Sequence, residues 1–137
     1  VTSPNGIEAW LVQDHTNPII AVEAAFRGGA ATDPAGKAGL ANMVSALLDE
    51  GAGPHDSQAF QGKLEDLAIG LSFDAGRDTF RGHLKTLTEN RDTAFELFRL
   101  ALTEPRFDKE PVERIRSQIQ TILKRELQNP NTVAIRS

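Results

Sequence analysis

The chain opens on alternation. Ile7, Ala9 and Leu11 fall on one side of an extended backbone and Glu8, Trp10 and Val12 on the other, a period of two that predicts a strand after the Asn5-Gly6 turn. Asn17-Pro18 punctuates the next turn, and a second strand is expected from residue 19 to about residue 26. Ile20, Val22, Ala24 and Phe26 share one of its faces and Ile19, Ala21, Glu23 and Ala25 the other. A strand this apolar on both faces suits a central position in a sheet covered on both sides. After Gly28-Gly29 and a loop at 33–36 the period lengthens. Leu40, Met43, Val44, Leu47 and Leu48 recur at i, i+3, i+4, i+7 and i+8, one face of a helix, which Gly51 and Gly53 stop. Asp56, or Ser57, is placed to cap a second helix with the stripe Phe60, Leu64 and Leu67.

Alternation then returns. Ile69, Leu71 and Phe73, and after a turn at Gly76-Arg77 also Phe80, Gly82 and Leu84, alternate with polar positions and predict a hairpin with one solvated face. A helix over 88–103 follows, with Ala94, Leu97, Phe98, Ala101 and Leu102 inward and Pro105 beyond its end. A last long helix begins at Asp108, tolerates Pro111 in its first turn, and carries the stripe Val112, Ile115, Ile119, Ile122 and Leu123 up to Asn129-Pro130-Asn131. The order ββααββαα argues an α+β domain, an antiparallel or mixed sheet packed against paired helices. Residues 132–137 read as the first turn of another element, so residues 1–137 are expected to be the N-terminal part of one domain, incomplete at the C-terminus.

Composition narrows the function classes. The 137 residues include no cysteine, which removes disulfides, thiolate metal sites and a catalytic thiol. A net charge of −4 argues against nucleic acid, and no apolar run approaches the ~20 residues of a membrane span. Val1 begins no charged-then-apolar leader, so a signal peptide, if the protein is exported, is expected to be gone already.

Local chemistry is sparse. His15, His55 and His83 lack the one-turn spacing that chelates a metal on a helix, and read as surface histidines. Asp49-Glu50 and Glu65-Asp66 are neighbours that diverge on a helix, a solvated face and not an acid/base pair. Gly28-Gly29 and Gly51-x-Gly53 read as turn glycines, since neither opens a G-x-G-x-x-G. Mixed charges on the last helix, among them Arg114 beside Glu110, suggest a solvated face with i,i+4 pairing.

One segment adds more. The run G-L-A-N-M-V-S-A-L-L-D-E-G at 39–51 resembles the signature helix of the insulinase-like, inverted-zincin metallopeptidases, G-x-A-H-x-x-E-H-x-L-x-x-G. The flanks follow the family order: Asn5-Gly6-Ile7, then Phe26-Arg27-Gly28-Gly29-Ala30, Leu64-Glu65-Asp66-Leu67, Leu71-Ser72-Phe73 and Pro105-Arg106-Phe107-Asp108. The resemblance spans essentially the whole chain and rests on the ordered set.

The departures carry the functional expectation. In H-x-x-E-H two histidines one turn apart hold zinc and the glutamate activates its water. The matching positions here hold Asn42, Ser45 and Ala46. The family's third ligand, a glutamate on the later long helix, falls near Ile122, and its acidic neighbour near Ile115. The resemblance therefore implies no zinc, no other cofactor and no catalytic residue here. It implies a non-catalytic subunit of a bacterial, periplasmic zinc-peptidase heterodimer, one that helps a catalytic, zinc-bearing homologue enclose a peptide substrate; without export the protein would be cytoplasmic. Residues that such a subunit lends to catalysis belong to its second domain. The alternatives are a structural or interaction module of the same fold with no role in proteolysis, and an active metallopeptidase using His15, His55 or His83.

Overall fold

The computed structural model describes residues 1–130; the turn expected at 132–137 lies outside the described residues. Three strands, β1 (Ile19–Arg27), β2 (Gly70–Ala75) and β3 (Thr79–Leu87), form one sheet in the order β1-β3-β2. Both pairings are antiparallel. Four α-helices accompany it: α1 (Leu40–Leu47), α2 (Ser57–Asp66), α3 (Arg91–Thr103) and α4 (Lys109–Gln128). Short 3-10 turns occupy Ala30–Thr32 and Thr88–Asn90. The α+β class expected from the sequence is the class observed.

The β2–β3 hairpin sets the position of everything else. Its register places Leu71 opposite Leu84 and Phe73 opposite Gly82, with Ser72 and His83 on the other face. Leu71 and Leu84 are buried and Lys85 and Arg81 exposed, the one-sided burial that the alternation predicts. Gly82 lets α3 approach: a Cβ there would lie 2.9 Å from the Phe98 ring and 3.1 Å from that of Phe73. The two rings sit 6.0 Å apart, tilted by 33°. Phe60 from α2 and Ala94, Leu97 and Ala101 from α3 complete a close-packed core.

Helix starts follow their local chemistry. Asp56 caps α2, its carboxylate accepting from the Ala59 N–H at 2.9 Å. Position 39, which begins α1, is a glycine at φ +94° with no side chain to offer. The loop residue Asp33 substitutes for a cap, accepting from Gly39 N–H at 2.8 Å and Ala41 N–H at 2.9 Å.

Three expectations are corrected. Residues 7–12 belong to no strand of the sheet, so the order is βααββαα. They fold back only on residues 1–3 through a Thr2–Glu8 bridge, and Trp10 is 97% exposed, because period two marks an apolar side without supplying a surface to cover it. For the same reason β1 is an edge strand and not a central one, with Ile20, Val22 and Ala24 half-buried and Phe26 44% exposed. The stripe of α4 is buried at Ile115 only; Ile122 and Leu123 are exposed, since α4 packs on α1 near its start and then runs clear of the core.

Candidate functional site

α1 is the helix on which the sequence placed the family motif. Asn42 is exposed there, Ala46 presents a half-buried methyl group, and Ser45 is buried. The Ser45 hydroxyl is committed to its own helix, donating to the Asn42 carbonyl at 2.7 Å. Ile122 is 54% exposed on the far half of α4. A hydrolytic zinc requires three imidazole, carboxylate or thiolate donors and an open position. An amide, a bound hydroxyl, a methyl and a sec-butyl group do not fit that ion, so these positions support no zinc-dependent step.

The C-terminal end of α1 holds what local reading missed. Glu50 is 15% exposed at its side chain and accepts from Ser57 Oγ at 2.6 Å and from Arg114 Nη2 at 2.5 Å. Asp49 beside it is half-buried, and burial holds its carboxyl above the usual aspartate range. These two carboxylates are thus a joint between α1, the start of α2 and α4, not a solvated face. Arg114 makes the expected i,i+4 pair with Glu110 at 3.2 Å and reaches across to Glu50 as well. A separation of 64 residues carries no local sequence signal.

The outer face of the sheet carries the remaining chemistry. His83 Nε2 lies 2.6 Å from Asp74 Oδ1, and its Nδ1 lies 3.9 Å from Glu23 Oε2. Glu23 also meets Arg81 Nε at 3.9 Å. The two carboxylates address opposite nitrogens of one ring, so they cannot close on one metal with it. Among the described residues no three histidine or acidic side chains are grouped so that they could hold a metal ion, and His15 and His55 join no such group. Ala21 and Gly70 flank Lys85 in register, and Ser72 flanks His83, leaving an open trough of about 540 Å³ along the face. This surface can pair charges and hydrogen-bond a polypeptide; it has no activated nucleophile. The glycine pairs are turn glycines: Gly51 and Gly53 have φ of +116° and +56°, and a Cβ on Gly29 would collide with the Gly76 carbonyl. Among the described residues no helix is long and apolar enough to cross a membrane.

Comparison with known proteins fits this picture. No protein-family model matches the chain. The non-peptidase homolog YmxG of Helicobacter pylori is 28% identical over 111 residues, 81% of this chain and 26% of that protein. The crystal structure of a peptidase M16 inactive domain from Pseudomonas fluorescens superposes with a TM-score of 0.80 at 26% identity, over 87% of this chain and 29% of that one. A Helicobacter pylori protease shares the fold at a TM-score of 0.73 and 19% identity, over 85% and 29% of the two chains. The chain thus spans about a quarter of the length of the curated relative it matches. In fold and in sequence the chain is similar to a peptidase M16 inactive domain and to a non-peptidase homolog. Both of those names describe proteins without peptidase activity, the kind of relative that the motif positions lead one to expect.

Proposed function

We propose that this domain is part of the non-catalytic half of a two-chain bacterial zinc peptidase, helping to enclose a peptide beside a zinc-bearing homologue in the periplasm. The observation that carries the reading is a retained peptidase-like fold whose motif helix offers Asn42, Ser45 and Ala46 in place of ligands and base. A fold kept without its chemistry is useful as a wall and a docking surface. The open trough along the sheet, largely apolar but edged by Glu23, Ser72, His83 and Lys85, gives such a wall groups that pair with a polypeptide.

The test is reconstitution. The protein is expressed with a homologue from the same genome that carries intact H-x-x-E-H. Zinc-dependent peptide cleavage by the pair, shown by neither chain alone, is the expected result. Full-rate cleavage by the homologue alone would leave this protein as an interaction module with no part in proteolysis.

A further inference from the structure

The outer face of the sheet falls into two zones of charge. On it β3 carries Arg81, His83 and Lys85, each two residues from the next and so about 6–7 Å apart along the strand. Toward Arg81 the charge is answered. Glu23 lies 3.9 Å from Arg81 Nε and from His83 Nδ1, and Asp74 lies 2.6 Å from His83 Nε2. Toward Lys85 it is not. The cross-strand neighbours of Lys85 are Ala21 on β1 and Gly70 on β2, a methyl group and a hydrogen. Among the described residues no carboxylate pairs with its ammonium group. Asp14, which lines the adjoining hollow, is taken by Thr16: its carboxylate accepts from the Thr16 N–H at 2.9 Å and from the Thr16 hydroxyl at 2.6 Å. One step further along the strands the face turns apolar, where Ile19 pairs with Leu87 and is 42% exposed.

On the reading that this domain walls a peptide chamber, we infer that Lys85 anchors an acidic side chain of an extended peptide lying along the trough. The wall then selects peptides with an Asp or Glu two residues from an apolar residue. Spacing carries the match. Alternate side chains of an extended peptide lie about 6–7 Å apart, the same step as from Lys85 to Leu87. A carboxylate set on Lys85 therefore brings the next inward side chain onto Ile19 and Leu87, and the one before it over Ser72 and His83.

Size and charge fix the placement. Ala21 and Gly70 leave room on both sides of Lys85, which a larger residue at either position would fill. One row back, an acid would meet Glu23 and Asp74, so the acidic side chain belongs on Lys85 alone. Lys85 is exposed, and an ion pair at such a site adds little affinity; it discriminates between peptides.

NMR titration of the 15N-labelled protein tests this without any cleavage step. The probe is a short peptide capped at both ends, with one Glu-Ser-Leu step in a Ser-Thr-Ala background, set against its Gln-Ser-Leu twin. The expected result is shift changes at the amides of Ala21, Gly70 and Lys85, and binding of the Gln twin about threefold to fivefold weaker. Lys85→Gln should erase that difference, Lys85→Arg should keep it, and high salt should shrink it. Ala21→Glu, which puts a carboxylate opposite Lys85, should erase it with the lysine still in place. Equal binding of the twins, no binding of either, or a Glu preference that survives Lys85→Gln and Ala21→Glu overturns the inference. So does a Gln twin that recovers full affinity once its C-terminus is left uncapped, because the site would then read chain ends. Failure here and failure of the proposed function are separable. A reconstituted pair that cleaves both twins alike keeps the function and loses the acidic preference. Lys85-dependent binding by a protein whose pair cleaves neither twin keeps the preference and loses the function.

Discussion

The molecule has two sets of elements built from similar patterns with opposite fates. Where β2, β3, α2 and α3 meet, every apolar stripe finds another: Phe60, Ala94 and Ala101 are fully buried, and Leu84 and Leu97 nearly so. In β1, the N-terminal ribbon and the second half of α4, equally regular stripes stand open, with Trp10, Leu11, Phe26, Ile122 and Leu127 exposed. Amphipathic pattern tells which face of an element is apolar; only a neighbour decides whether that face is core. The contrast concentrates stability in the first set and leaves the second for partners or for elements that fold onto it.

Truncation in the packed set gives the largest effect. Phe60→Ala should cost about 3–5 kcal/mol in denaturant unfolding, because its pocket is closed all round. A loss below about 1 kcal/mol would break the contrast. At the joint between the two sets, Glu50→Ala leaves Arg114 and Ser57 without their common acceptor and should cost about 1.5–3 kcal/mol. Glu50→Gln, which keeps an acceptor for both, should recover part of that in the same unfolding assay. In the open set Ile122→Ala should shift stability by no more than about 0.5 kcal/mol. A cost as large as that of Phe60→Ala would mean that α4 is covered in solution.

The smallest effect is one of pH. Burial raises the folded-state pKa of Asp49 above its unfolded value. The folded chain therefore binds this proton more tightly than the unfolded chain, and the penalty is absent below the unfolded pKa and complete above the folded one. Asp49→Asn should raise stability slightly near neutral pH, with the gain fading as the medium is acidified toward the ordinary aspartate pKa of about 4. Thermal melts of both proteins across that range read it directly, and a gain that persists unchanged in acid would contradict the assignment.

Much of the fold is legible in the sequence because it is local. The hairpin at 70–87 and the stripes of α2 and α3 follow from side-chain period, and Asp56 from capping chemistry. The motif positions on α1 are legible from one ordered resemblance, and the structure adds that Ser45 is turned into its own helix. Illegible are the features that depend on distant neighbours: the Glu50–Arg114 link, the contact of His83 with Asp74, and the edge position of β1. The double-sided apolar pattern of β1 predicts an internal strand, and the described sheet gives it one neighbour.

If α1 resembles the peptidase helix without its metal chemistry, the protein binds no zinc there, and zinc content decides between the two cases. The purified protein is equilibrated with micromolar zinc, desalted, and measured for bound metal, alongside the His15→Ala, His55→Ala and His83→Ala variants. Far less than one zinc per chain is expected, unchanged in all three variants. One zinc per chain, lost when a histidine is replaced, would contradict it and return the protein to the active metallopeptidases.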